Sequence, residues 1–167
     1  PTNRMSPTSL LCACSVSELL AGLSSGAVSA EEILNSCLGR IRLREAEVKA
    51  WAYLYSDKGF AAKKALSRNK KNEKLRGIPF AAKDVFEVAS TPKSYGSQLY
   101  AAEISKRSSS VVDTLVAAGA VFLGKTVTAE FALYKPGATC NPHNIEHTPG
   151  GSSSGSAAAV ADCQAPI

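Results

Sequence analysis

An α/β layered fold is what this sequence predicts, and three observations carry the prediction. Short apolar runs at 50–55, 77–82 and 120–123 have strand composition, and they alternate with segments whose apolar residues recur at helical spacing. Two serine-to-glutamate pairs of capping-box spacing mark helix starts. A composition of 45% hydrophobic and 20% charged residues over 167 positions suits one compact core and excludes a disordered or membrane-spanning chain.

Taken in order, residues 1–14 read as an irregular lead-in. Ser15 and Glu18 form the first capping box, Leu19, Leu20 and Leu23 supply an apolar stripe, and Gly26 ends a short helix. Ser29 and Glu32 open a longer helix whose core face carries Ile33, Leu34, Cys37, Leu38 and Ile41. A strand at 50–55 follows, then a lysine-bearing helix at about 57–67. Residues 77–82 predict a buried strand, 111–118 a helix, and 120–123 a further strand. The chain shows no internal repeat and no domain boundary, so residues 15–167 are read as part of a single domain.

The run Gly150, Gly151, Ser152, Ser153, Ser154, Gly155, Ser156 is the most telling segment. Glycine tolerates positive φ and close approach, so such a run suits a backbone bent to aim one serine into a buried site. Flexible linkers share the composition, but Pro149 on one side and an Ala/Val run on the other bound a packed element better than a tether. Upstream, Lys83 ends an apolar run. An ammonium partly stripped of water there is disfavoured in its charged form, which suits a base, although a strand-end lysine turned to solvent is the commoner arrangement.

Together these segments resemble the amidase signature family, serine hydrolases with a Ser, cis-Ser, Lys triad. The resemblance is carried by GIPFAAKD at 77–84, SSSVVDTLVAAGAVFLGKTVTAEFA at 108–132 and NPHNIEHTPGGSSSGSAAAVA at 141–161, and it covers the chain from about Ser15 onward. By position it implies that Lys83 is the general base and Ser152 the bridging serine, with the Gly151–Ser152 peptide cis. Gly150, Gly151, Ser153, Ser154 and Gly155 would shape and support that loop. The implied fold is a layered α/β/α arrangement with a mixed sheet, of which residues 15–167 would form the N-terminal part, incomplete at the C-terminal side.

In the family the nucleophilic serine lies roughly two dozen positions past the bridging serine, in a second Gly-Gly-Ser segment that also supplies the oxyanion hole. Only fifteen residues follow Ser152, so the nucleophile is expected beyond Ile167 and the chain alone is expected to be inactive. Ser153, Ser154 and Ser156 are expected to bond to the backbone of a tight loop. The implied activity is amide hydrolysis through an acyl-enzyme, without metal or cofactor, on a small-molecule amide. The alternative is a non-catalytic, truncated amidase-like piece that serves interaction, and an uncovered sheet edge would favour association.

The net charge of +5 comes with a lysine and arginine run from Lys58 to Arg76 that has Phe60, Leu66 and Leu75 as its bulky apolar residues. A solvated helix face explains it better than a nucleic-acid or membrane surface. Five scattered cysteines, Cys12, Cys14, Cys37, Cys140 and Cys163, fit reduced thiols and a cytoplasmic location. Residues 9–14 resemble a signal core only faintly, being followed by Ser15, Ser17 and Glu18.

Two further patterns match chemistry they do not suit. Residues 119–126 spell the phosphate-loop spacing G-x-x-x-x-G-K-T, but the Val-Phe-Leu interior favours an extended buried strand over a loop wrapped around phosphate. Residues 143–147 spell H-x-x-E-H, yet Pro142 and Pro149 leave room for little more than one helical turn, and no third zinc ligand is in view. That loop is expected to line or support the approach to Ser152.

Overall fold

The structure, a computed structural model, describes residues 10–55 and 73–167. Residues 1–9 of the lead-in and the helix expected at 57–67 lie outside the described residues. The rest of the lead-in holds a single 3₁₀ turn, Leu11–Ala13, whose Cys12 is buried and whose Cys12 N–H donates to Ser36 Oγ at 3.0 Å.

Both capping boxes form. Helix α1, Val16–Ser25, begins at Ser15, whose N–H donates to Glu18 Oε2 at 2.8 Å while its Oγ accepts from the Glu18 N–H, and it ends at Gly26. Helix α2, Ala30–Val48, repeats the arrangement with Ser29 and Glu32, and it buries Ile33, Cys37, Ile41 and Val48. Both glutamates are held below the usual carboxylate range by those serine bonds. At the far end of α2, Glu45 accepts from the N–H groups of Ala50 and Trp51 at 3.0 and 2.9 Å, which turns the chain directly into the sheet.

The sheet has three strands in the order β1, β3, β2: β1 is Trp51–Leu54, β2 is Pro79–Lys83 and β3 is Val121–Thr126. It is mixed, since β1 runs antiparallel to β3 and β2 parallel to it. Helix α3, Ser110–Ala117, leads into β3. Successive strand residues face opposite sides, so Phe122 packs with Phe80, Val112 of α3 and Val88, while its neighbour Leu123 packs with Cys37 of α2, Cys12 and Ala165. Helices therefore cover both faces, which is the layered arrangement expected. Burying each of Phe80, Phe122, Ile78 and Leu123 completely contributes roughly 1.5–3 kcal/mol. Helix α4, Ser154–Ala161, packs Ala158 and Ala159 against Val48 and Ala50 where α2 passes into β1. The outer edge of β2 is met by the end of the chain, with the Ala81 N–H donating to Ile167 O at 2.9 Å.

Strand β3 runs three residues farther than expected, through Gly124, Lys125 and Thr126. Glycine and lysine are weak strand formers, but a central strand is paired along both edges, and this tertiary pairing overrides propensity. Among the described residues, no helix is long and apolar enough to cross a membrane.

Candidate active site

Parallel strands β2 and β3 end side by side, with Lys83 opposite Thr126. The chain leaves β3 through Val127, Thr128 and Ala129, and this exit segment anchors the glycine and serine run. The Ala129 N–H donates to Ser152 O at 2.9 Å, the Gly155 N–H donates to Val127 O at 3.0 Å, and Thr126 Oγ1 and Ser156 Oγ share a 2.7 Å hydrogen bond. Gly150 takes a positive φ of 87°, a conformation that disfavours residues with a Cβ. Gly155 sits so close to the strands that a Cβ there would lie 2.3 Å from both Ala50 O and Val127 N. Only glycine allows α4 to start against the sheet, and its start sets Ser152 above the end of β2.

The result is a direct contact. Lys83 Nζ donates to Ser152 Oγ at 2.7 Å, both residues are half-buried, and the Gly151–Ser152 peptide is cis. Chemically, a lysine and a serine in this geometry can relay a proton: an uncharged amine can accept the hydroxyl proton, and the serine oxygen can in turn draw one from a third group. The other residues of the run do different work. Ser154 Oγ donates weakly to Val127 O at 3.5 Å, Ser156 bonds to a side-chain hydroxyl instead of the expected backbone group, and Ser153 leads into α4 without a side-chain cap bond.

Asp84, next in sequence to Lys83, is buried and forms an ion pair with Lys125. Its second oxygen accepts from Ser94 Oγ and from the Gly96 N–H at 3.3 Å, and Lys125 Nζ also donates to Pro92 O at 3.0 Å. The phosphate-loop look-alike is therefore a turn and a strand whose lysine is fully enclosed in protein. Sequence reasoning assigned Asp84 and Lys125 no role. The available signal was weak: Lys125 stands two residues past the strand expected at 120–123, and only a continuation of that buried strand, in which a cation requires a counter-charge, would have pointed to a partner.

Beside this network an aromatic row, Tyr95, Tyr100 and Phe131, packs edge to face with ring centroids 5.8 and 6.0 Å apart, and the Phe131 N–H donates to Tyr95 O at 2.9 Å. Burial and a hydrogen bond to Glu87 push the Tyr95 phenol up, while Ser97 and Lys135 hold Glu130 down. The 143–147 segment forms turns in which the His143 N–H bonds to Asn141 Oδ1 and the Glu146 N–H to Asn144 Oδ1, with both histidines exposed. Among the described residues, no group of three or more His, Cys, Asp or Glu side chains is placed to hold a metal ion.

The chain is similar to known proteins in sequence and in fold. A family model described as Amidase matches residues 32–167. The A subunit of the glutamyl-tRNA(Gln) amidotransferase of Anaeromyxobacter sp. (strain K) is 35% identical over 93% of this chain and 34% of its own length. The peptide amidase of Stenotrophomonas maltophilia superposes with a TM-score of 0.77 at 32% identity, over 90% of this chain and 34% of that one. The corresponding glutamyl-tRNA(Gln) amidotransferase protein of Thermotoga maritima superposes with a TM-score of 0.75 at 28% identity, over 93% and 33%. The chain thus spans about a third of the length of these relatives. With the family model matching most of its residues, the chain belongs to the amidase family.

Proposed function

We propose that residues 1–167 supply the general base and the proton relay of a metal-free amide hydrolysis, with Lys83 as base and Ser152 as relay. The observation that carries this reading is the 2.7 Å hydrogen bond from Lys83 Nζ to Ser152 Oγ at the ends of two parallel strands. In the proposed sequence Ser152 draws the proton of a nucleophilic serine outside these 167 residues and passes its own proton to neutral Lys83. The attacking oxygen bonds to the amide carbon, the proton returns through the relay to the leaving nitrogen, and the C–N bond breaks. Water then attacks the acyl-enzyme by the same route and releases the acid. The amide substrate class is supported by relatives named as a peptide amidase and as components of an amidotransferase. The exposed edges of Tyr100 and Phe131 offer an apolar flank near the loop.

Ammonia release by the intact protein from acetamide, L-glutamine and a C-terminally amidated dipeptide, with and without EDTA, tests the reading. Release from at least one amide, unchanged by the chelator, is expected. Failure to hydrolyse any of them, together with failure to take up a fluorophosphonate on serine, rejects it.

A further inference from the structure

We propose that the buried Asp84–Lys125 ion pair is a positioning device that holds Lys83 on Ser152 and balances the charge beside it, so that Lys83 can act as a base. The inference rests on the reading of Lys83 given above. Asp84 and Lys83 are consecutive, while Lys125 lies on β3 opposite Ala82, so the pair sits directly behind the base. It is tied on every side. Asp84 receives Lys125, Ser94 Oγ and the Gly96 N–H; the Asp84 N–H donates to Thr126 O at 2.9 Å; and Lys125 reaches Pro92 O. The loop after the base is thereby fastened to the central strand at the point where Lys83 leaves the sheet.

Stability alone is a poor reason for this pair. Desolvating two charges offsets most of their attraction, and apolar residues of similar volume are often as stabilising or more so. Its place beside a lysine gives it another consequence. An unbalanced Asp84 carboxylate would hold the neighbouring ammonium in its charged form, which cannot accept a proton, and Lys125 cancels that field. Among the described residues, Lys93 pairs with Glu103 and Glu87, Tyr95 and Arg107 with Glu87, and Lys135 with Glu130. Helix α4 contributes no charged side chain.

The test uses fluorophosphonate labelling of the intact protein, which needs no knowledge of the substrate. The serine oxygen bonds to phosphorus, the P–F bond breaks, fluoride departs, and the serine proton passes through Ser152 to Lys83. The pH dependence of the labelling rate constant is measured for the parent, Lys125→Met, Asp84→Asn, the double variant and Lys83→Ala, each checked for fold by circular dichroism. In Lys125→Met the Asp84 carboxylate beside Lys83 loses its counter-charge, and the acid limb moves to higher pH by about one unit, a tenfold loss of rate below it. In Asp84→Asn the unbalanced Lys125 moves the limb to lower pH, and in the uncharged double variant it returns to the parent position. Opposite displacements cannot arise from general damage to the fold. Either single variant, folded and with its limb unmoved, overturns the inference; a reactive Lys83→Ala would instead overturn the base assignment beneath it.

Discussion

Replacing Gly155 with alanine sets helix formation against steric fit at the point that positions Ser152. The added Cβ would lie 2.3 Å from Ala50 O, 2.3 Å from Val127 N and 3.0 Å from Val127 Cα. All three are backbone atoms flanking strand ends, so none can swing aside as a side-chain tip would. Relief requires α4 to lift from the sheet, which stretches the 3.0 Å bond from the Gly155 N–H to Val127 O. Overpacking of this kind costs about 1–3 kcal/mol, and a weakened buried hydrogen bond adds about 1 kcal/mol. The helical advantage of alanine over glycine returns about 1 kcal/mol, leaving a net loss of about 1–3 kcal/mol. For a urea dependence of about 2 kcal/mol per molar, the unfolding midpoint should fall by about 0.5–1.5 M. Gly39, inside α2, is the matched control because nothing lies within 4 Å of where a Cβ would stand. There the same substitution should raise stability by about 0.5–1 kcal/mol. Equal midpoints for Gly155→Ala and the parent would refute the steric reasoning.

Asp162 is buried between Arg40 at 2.6 Å and Arg44 at 3.3 Å, and it accepts from Gln164, whose Oε1 takes the Trp51 indole N–H at 2.6 Å. Asp162→Asn should cost about 3 kcal/mol and lower the melting temperature, since it removes the counter-charge of Arg40 and leaves Arg44 with Glu47 alone. Burial, reinforced by Cys12 and Cys163, pushes the Cys37 thiol up to about 12 from an ordinary 9.0. Its contribution to stability is full below about pH 9 and is lost as pH rises toward 12, because the unfolded thiol ionises first. Urea titrations at pH 8 and pH 10 should show that slope in the parent and a shallower one in Cys37→Ala, and native iodoacetamide labelling at pH 8 should spare Cys37. Ser156→Ala removes the bond to Thr126 Oγ1 and should lower stability by about 1 kcal/mol in the same titration.

Much of the fold was legible because local signals and burial agree. Ser15 with Glu18 and Ser29 with Glu32 mark helix starts that the structure realises, and of the apolar positions of α2 expected at helical spacing Ile33, Cys37 and Ile41 are buried while Leu34 and Leu38 are half-buried; Val48, which α2 also buries, lies past the expected stripe. The sequence signal weakened where tertiary contacts overrule propensity. Strand β3 continues through Gly124 and Lys125 because it is paired on both edges, and α4 begins inside a serine and glycine run of poor helix propensity because Val127 and Thr126 receive its first turn. At the site, spacing alone could not bring Lys83 and Ser152 together across 69 positions; resemblance to a family suggested the pairing, and the two side chains lie 2.7 Å apart. The Asp84–Lys125 pair escaped notice because the two residues are far apart in sequence and meet only through the parallel register of β2 and β3.

Turnover of an amide by Lys83→Ala in the intact protein tests the proposed proton relay most directly. With the fold verified, removing the base should lower the rate by about 10²–10⁴ at neutral pH, and Ser152→Ala should also lower it strongly, though water can bridge part of that gap. A folded Lys83→Ala protein that hydrolyses amides at nearly the parent rate would contradict the lysine-base mechanism.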